Sequence, residues 1–418
     1  MQEGRLTNSN LQINFTICIK IMSLNLSNHF WTDISEPVSV YPWLAQNESC
    51  DVCIIGGGIT GSLCALYFAQ SGINTVLVTR EGIGYGATDT MCGACEVRPF
   101  GGVSDLAGKI GKAASIAMCR ANREAIGEIE DMIKAFSDDC GFYKTDSLLY
   151  SNKSEFNTKV KKEYLMLLHN GFDIELITPE EVGELFSLDA KESVILKNSA
   201  IVVNPYKICQ NAVSTAAEKG AGIYEYTEID TVSPQKNGIE LLTSAGKRIK
   251  AKVAIFTAGV QNKSFIKEET ERCTGFSSVS GVIEATPGWY NKSVITCCDD
   301  KESTAYMTFD NRIVMYGMET FLNPDCKLCA FDAVNSFFTK RCDVLEAQKN
   351  SMFTAIDNID AKYFCSSVNI IGLNGQLFAG GTHGYPHCYF TACGGKNGII
   401  NSQIAAKTLL RLYQTEHV

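Results

Sequence analysis

Residues 51–61 read Asp-Val-Cys-Ile-Ile-Gly-Gly-Gly-Ile-Thr-Gly, an apolar strand running straight into a G-x-G-x-x-G turn. Each glycine has a mechanical duty. Gly56 permits the sharp turn off the strand, Gly58 lets a dinucleotide pyrophosphate approach the backbone, and Gly61 lets helix and sheet pack closely. The helix-forming run Ser62–Gln70 follows and closes at Gly72, and Ile73–Val78 reads as a second strand. Together they make a βαβ unit whose helix N-terminus turns unpaired N–H groups and a partial positive charge toward phosphate. An isolated G-x-G-x-x-G is a weak sign; between this strand and this helix it predicts dinucleotide binding.

At 418 residues the chain exceeds one small domain, and two domains sharing an interface are expected. The net charge of −9 and the lack of a Lys/Arg-rich block argue against a nucleic-acid partner. No apolar run reaches spanning length, so no integral membrane segment is expected. Leu11–Ile21 is interrupted by Gln12, Asn14, Thr16 and Lys20 and makes a poor signal-peptide core, and Met22 is an alternative start. The 18 cysteines, in a long chain with an intracellular type of nucleotide fold, read as reduced, buried thiols in a cytoplasmic protein. The pairs Cys50/Cys53, Cys92/Cys95 and Cys326/Cys329 have C-x-x-C spacing. They lie far apart, with Cys53 inside the first strand, so no metal site is expected.

Gly84–Thr88 forms a glycine-rich loop, and a long helix is predicted over Asp105–Phe136. Further helices are expected at Lys159–Leu168 and at Tyr206–Lys219, the latter opened by Asn204-Pro205. Gly222–Tyr226, Ile239–Thr243 and Lys247–Thr257 read as strands. An antiparallel group follows at Val279–Ala285, Val294–Cys298, Thr304–Phe309 and Ile313–Met318, with Asp310-Asn311-Arg312 as a hairpin turn. The chain closes with a strand Cys388–Ala392, a glycine turn Gly394–Gly398 and a helix Ile399–Tyr413.

Four of these segments occur in a telling order: GGGITG at 56–61, Ile83–Thr88, Phe256-Thr257-Ala258-Gly259, and Tyr389-Phe390 followed by Gly395-Lys396-Asn397-Gly398-Ile399. From about Tyr41 onward the chain resembles the FAD-dependent oxidoreductases of the D-amino-acid oxidase superfamily, which includes glycine and sarcosine oxidases, and is similar to a bacterial branch near gamma-glutamylputrescine oxidase. The resemblance implies an α/β fold with a Rossmann-like FAD/NAD(P)-binding domain and a second, antiparallel-sheet α+β substrate domain. The FAD domain would combine about 48–135, 196–262 and 356–418, the substrate domain about 136–195 and 263–355, and residues 1–47 would be an N-terminal extension.

By the same resemblance FAD is bound without a covalent link. Gly56, Gly58, Ile59, Thr60 and Gly61 would hold the pyrophosphate, and Gly86, Ala87 and Thr88 would run beneath it and the ribityl chain. Ile229, Ala258 and Gly259 are further expected contacts. Gly395, Lys396, Asn397, Gly398 and Ile399 would put backbone N–H groups at the pyrimidine edge, with Lys396 adding a charge. The acidic residue that normally accepts from the adenosine ribose is replaced by Thr79. Glu81 is a possible substitute, and Arg80 leaves open a phosphorylated ribose, hence NADP.

The expected substrate-side residues depart further. The arginine that clamps a substrate carboxylate is missing from Ser366-Ser367-Val368-Asn369. The usual Y-x-R reads Thr304-Ala305-Tyr306, and the usual Gly-Leu-Pro reads Gly375-Gln376-Leu377. Tyr306, Arg98 and Lys396 remain as catalytic candidates, with Arg312 better read as a solvated charge and His383 and His387 as polar loop residues. Cys92 and Cys95, near the expected flavin ring, are better read as buried thiols than as a redox dithiol.

The expected activity is oxidation of a C–N bond in a small amine or amino acid, with hydride passing to FAD and electrons then to oxygen or a carrier. A neutral substrate amine needs no dedicated base, which suits a chain with no evident catalytic dyad. The alternatives are a flavin-binding protein that has lost catalysis, and an NADP-dependent enzyme.

Overall fold

The computed structural model describes residues 30–259, 273–283, 289–300, 302–321, 336–353, 361–381 and 384–417. Met22, the pair Cys326/Cys329 and His383 lie outside them.

The glycine turn leaves the strand Glu48–Ile55, at the heart of the first sheet. Its neighbours are Thr75–Val78 and then Gly222–Tyr224 on one side, and Arg248–Phe256 and then Cys388–Ala392 on the other, all parallel. Phe378–Gly381 closes that edge antiparallel, and the hairpin Ile229–Gln235/Gly238–Thr243 pairs onto Arg248–Phe256. Val52, Ile54, Leu77, Val253 and Ile255 are buried with the helices on one face, while Cys53, Ile55, Val76, Ala254 and Phe256 are buried on the other. That double burial is why these strands read as unbroken apolar runs. The helix Ile59–Gln70 packs between Pro205–Glu218 and Gly398–His417.

Among the described residues a second sheet runs Ala361–Gly372, Cys273–Ile283, Ile313–Phe321, Ser303–Met307, Val294–Cys297, Tyr143–Ser151, Glu192–Val202, Ala94–Glu96, with Ile174–Leu176 also on Glu192–Val202. Pairing is antiparallel except between Val294–Cys297 and Tyr143–Ser151. The expected hairpin is present, with Asn311 at φ 64° in its turn.

Strand membership departs from the division drawn on the sequence. Ala94–Glu96 and Ala361–Gly372 belong to the second sheet, and Glu192–Val202 runs across the 195/196 boundary. A bridge from Ile371 to Cys393 joins the two sheets.

The helix expected over Asp105–Phe136 is two helices, Val103–Ile110 and Lys112–Lys134. Gly111, at φ 87°, ends one and starts the other, a conformation that a side chain disfavours.

The N-terminal extension carries structure that the sequence did not announce. A short helix, Phe30–Asp33, buries Phe30 and Trp31, and the chain then follows the helix Pro205–Glu218. Asn204 Nδ2 donates to Ser35 Oγ at 2.8 Å, and the Val38 N–H to Gln210 Oε1 at 3.2 Å. Farther on, the Tyr41 N–H donates to Glu225 and the Leu44 N–H to Thr227 Oγ1. This strap holds the loop 83–93 from outside: Glu225 also accepts from the Ile83 N–H, and Thr32 bonds the Asp89 carboxylate through both N–H and Oγ1.

Candidate functional site

Gly56 sits at φ 115°, and a Cβ there would lie 2.9 Å from Ala258 N. A Cβ on Gly61 would lie 1.8 Å from the Gly56 carbonyl oxygen, so helix and strand meet too closely for any side chain. Thr257 Oγ1 fixes the turn by donating to the Ile55 and Gly56 carbonyls, each at 3.0 Å. Gly58 is different. At φ −75° it caps the helix with no side chain, and within 4 Å a Cβ there would meet only Thr88 Oγ1. Thr88 Oγ1 accepts from the Ile59 N–H at 3.0 Å.

Gly86 and Gly259, at φ 84° and 58°, have open space where a Cβ would stand, and Gly86 and Ala87 are exposed. A helix end without a capping side chain at Gly58, with clearance at Gly86 and Gly259, is the arrangement a pyrophosphate requires, and it fits FAD.

Other expected cofactor residues have local partners. Thr60 Oγ1 pairs with Ser402 Oγ at 2.7 Å, joining two helices. Ile229 is packed in the apolar cluster with Val78, Leu241 and Phe256. Thr79 is buried against Gly57, while Arg80 is exposed and paired with Glu81 at 2.9 Å. The substitute carboxylate and the candidate phosphate ligand thus engage each other.

The glycine loop before the last helix is fastened by Asn397, whose side chain accepts from the Glu96 N–H at 3.0 Å and donates to the Glu96 and Arg98 carbonyls. This brings Glu96, at the end of Ala94–Glu96, beneath Lys396. Lys396 Nζ donates to Glu96 Oε2 at 2.9 Å and to Thr296 Oγ1 at 3.0 Å. Thr296 in turn donates to Glu96 Oε1 at 3.2 Å, which leaves it to accept from the Thr304 hydroxyl, also at 3.2 Å. Arg98 Nη2 donates to Glu96 Oε2 at 3.3 Å.

Glu302 completes the group, 3.8 Å from Arg98 Nη1 and 3.9 Å from Lys396 Nζ, and all four side chains are at most 5% exposed. Burial alone would raise the Glu96 carboxyl, but Lys396 and Arg98 outweigh it and hold it below the usual range. Burial likewise disfavours the Arg98 charge, yet Glu302 and Glu96 overcome it and keep the guanidinium ionised. Close by, Glu319 accepts from the Tyr316 hydroxyl at 2.8 Å, and burial, aided by Glu302, pushes its carboxyl up to about 7.

The structure therefore brings Arg98 and Lys396 together but not as free ligands. Both charges engage Glu96. Tyr306 lies elsewhere, in an apolar cluster with Trp31, Cys92 and Tyr316, and its hydroxyl oxygen accepts from the Gly93 N–H at 2.9 Å. Burial raises this phenol well above its ordinary range. Tyr306, a catalytic candidate on the sequence, thus has its hydroxyl engaged by backbone in this structure.

Asn369 does lie at the glycine loop, since a Cβ on Gly394 would come 2.6 Å from its Cβ, and its amide donates to Ser367 Oγ. Arg312 pairs with Asp310 at 3.4 Å. Cys92 and Cys95 are buried thiols, Cys95 pushed up to about 12 by burial, and so protonated at neutral pH. Sequence reasoning missed Glu96, Glu302 and Glu319. Glu302 stands in the turn between Val294–Cys297 and Ser303–Met307, where charges are usually solvated.

A family model described as FAD dependent oxidoreductase (DAO) matches residues 51–412. Gamma-glutamylputrescine oxidoreductase of Escherichia coli is 23% identical over 194 residues, 46% of this chain and 45% of that protein. Glycine oxidase of Bacillus licheniformis is 24% identical over 223 residues, 52% of this chain and 56% of that one. The chain thus spans about half the length of these curated relatives. Among solved structures, glycine oxidase from Geobacillus kaustophilus superposes with a TM-score of 0.74 at 15% identity, covering 89% of this chain and 96% of that one, a likeness of fold.

Proposed function

The chain belongs to the DAO family of FAD-dependent oxidoreductases, and from that premise we propose that it oxidises a C–N bond of a small amine. FAD supplies the hydride acceptor. The chain's own residues supply position and dryness. The turn Gly56–Gly61 and Thr88 would hold the pyrophosphate, and the loop Gly395–Ile399 would hold the ring's polar edge with the N–H groups of a helix start.

The observation that carries the substrate reading is the neighbourhood of Asn369. An amide stands beside the glycine loop, and the nearby cations Lys396 and Arg98 are already paired with Glu96. A substrate carboxylate would find no free bidentate partner among these residues, which favours an amine without an α-carboxylate over a free amino acid. No described helix is long and apolar enough to cross a membrane. Buried free thiols throughout the described chain support a reducing cytoplasm as its place of work, with oxygen or a carrier as electron acceptor.

The test is direct. Purified protein should be yellow, release FAD on acid precipitation, and bleach anaerobically with alkyl amines or N-substituted amines but weakly with D-alanine or glycine. A colourless protein, or rapid bleaching by D-alanine alone, would overturn the reading.

A further inference from the structure

Among the described residues Glu302 is anomalous. Its side chain is 5% exposed, yet neither carboxylate oxygen has a hydrogen-bond partner, and the facing Arg98 Nη1 also lacks one. Burying a carboxylate without hydrogen bonds is costly, and native proteins avoid it unless something else arrives to fill the gap. The two cations nearest Glu302 stand at 3.8 and 3.9 Å, beyond the roughly 2.7–2.9 Å of a charge-assisted bond. They are held off because Glu96 already takes them, at 3.3 Å from Arg98 and 2.9 Å from Lys396.

We propose that Glu302 receives an ammonium group of the substrate, so that the substrate is an amine bearing a second cationic nitrogen. This rests on the amine-oxidation reading above and names its substrate class.

Three features converge on a cation. An ammonium is a compact point charge with three donors, matching a carboxylate whose lone pairs are unfilled. The charges already present balance, Glu96 and Glu302 against Lys396 and Arg98, and Glu319 adds a further carboxyl beside them. An arriving cation would find an unsatisfied carboxylate, whereas an arriving carboxylate would find only the single donor Arg98 Nη1, with the carboxyls of Glu302 and Glu319 beside it. Thr304, joined to the same network through Thr296 at 3.2 Å, contributes a hydroxyl oxygen that can accept from an ammonium. The opposing explanation is that the network only ties the two sheets together and that Glu302 is hydrated.

Equilibrium binding to the oxidised, FAD-loaded protein under anaerobic conditions separates the two, read by melting temperature and by perturbation of the flavin spectrum. The probes are 1,4-diaminobutane, n-butylamine and D-alanine. The diamine is expected to bind about tenfold more tightly than the monoamine, the scale of one hydrogen bond to a charged group. Glu302→Gln should erase that preference by weakening the diamine about tenfold and leaving n-butylamine within about twofold, and Glu302→Asp should restore part of it. The wild-type preference stands as a test by itself if the variants fold poorly. Equal affinity for the two amines, equal loss of both in Glu302→Gln, or tighter binding of D-alanine would overturn the proposal. Glu302-dependent diamine binding without flavin bleaching would uphold cation recognition and defeat the oxidation reading. Amine oxidation indifferent to Glu302→Gln would do the reverse.

Discussion

The Trp31 indole lies against Gly93: a Cβ on that glycine would come within 2.6 Å of Trp31 Cζ2, and the indole N–H donates to the Met91 carbonyl at 3.0 Å. The next residue, Thr32, holds Asp89. A segment preceding the nucleotide fold is thus latched onto the loop that carries Thr88.

Opening that latch should loosen the cofactor. Trp31→Ala removes a fully buried side chain, a change that costs about 3–5 kcal/mol where the whole fold depends on it. Here the expected result is release of the strap before global unfolding. Limited proteolysis should cleave near residues 36–47, and FAD titration should show weaker binding. Gly93→Ala, which drives a methyl into the same ring and to 2.7 Å from the Val203 carbonyl, should give the same pattern. Unchanged proteolysis and affinity in both variants would show the strap to be passive.

The two glycines of the fingerprint should fail differently. Gly61→Ala puts a methyl 1.8 Å from the Gly56 carbonyl oxygen, with nothing flexible to move, so the protein should not fold. Gly58→Val has an ordinary φ and meets only Thr88 Oγ1 within 4 Å of its Cβ. It should fold with nearly normal circular dichroism and be colourless, because the side chain stands where the pyrophosphate belongs. A yellow Gly58→Val protein would misplace the cofactor.

Much of this was legible in the sequence, for reasons of range. The glycine turn, its strand and its helix are fixed by residues a few positions apart, and the hairpin around Asn311 by alternation and turn chemistry. What stayed hidden depends on contacts between distant residues. Trp31 and Met91 lie 60 positions apart, and Lys396 and Glu96 lie 300 apart. Arg98 and Lys396 were identified as charges worth watching, but nothing local reveals that both converge on one glutamate. The break at Gly111 was missed because one glycine inside a helical pattern is usually tolerated.

Removing the lysine from the buried group should be severe. Lys396→Met leaves Glu96 short of a partner, and breaking a buried pair from one side costs about 3–5 kcal/mol. Adding Glu96→Gln should recover most of that loss, since removing both charges can be near neutral. The pH dependence carries a second signature. The Glu96 carboxyl is lowered on folding, so its stabilisation is present above its ordinary value of 4.5 and lost as pH falls through the lower folded value. In Lys396→Met that acid limb should shrink. Urea denaturation at neutral and acid pH measures both effects, and an unaltered acid limb would mean that Arg98 alone holds Glu96 down.

Glu319 should act in the opposite sense. Burial raises its carboxyl first, Glu302 adds to the rise, and Tyr316 and Lys396 pull it back, leaving it at about 7 against an ordinary 4.5. Folding therefore favours the protonated form. Its stabilising effect is complete below about 4.5 and disappears as pH rises through about 7, so wild-type protein should lose stability across that window. Glu319→Gln keeps an acceptor oxygen for the Tyr316 hydroxyl and cannot ionise, so its stability relative to wild type should grow between those limits and level off above them. Glu302→Gln, which removes a neighbouring negative charge, should move the same window to lower pH. Melting temperatures of the three proteins from pH 4 to 8 decide the matter. Parallel curves would show that Glu319 titrates at its ordinary value and is uncoupled from Glu302.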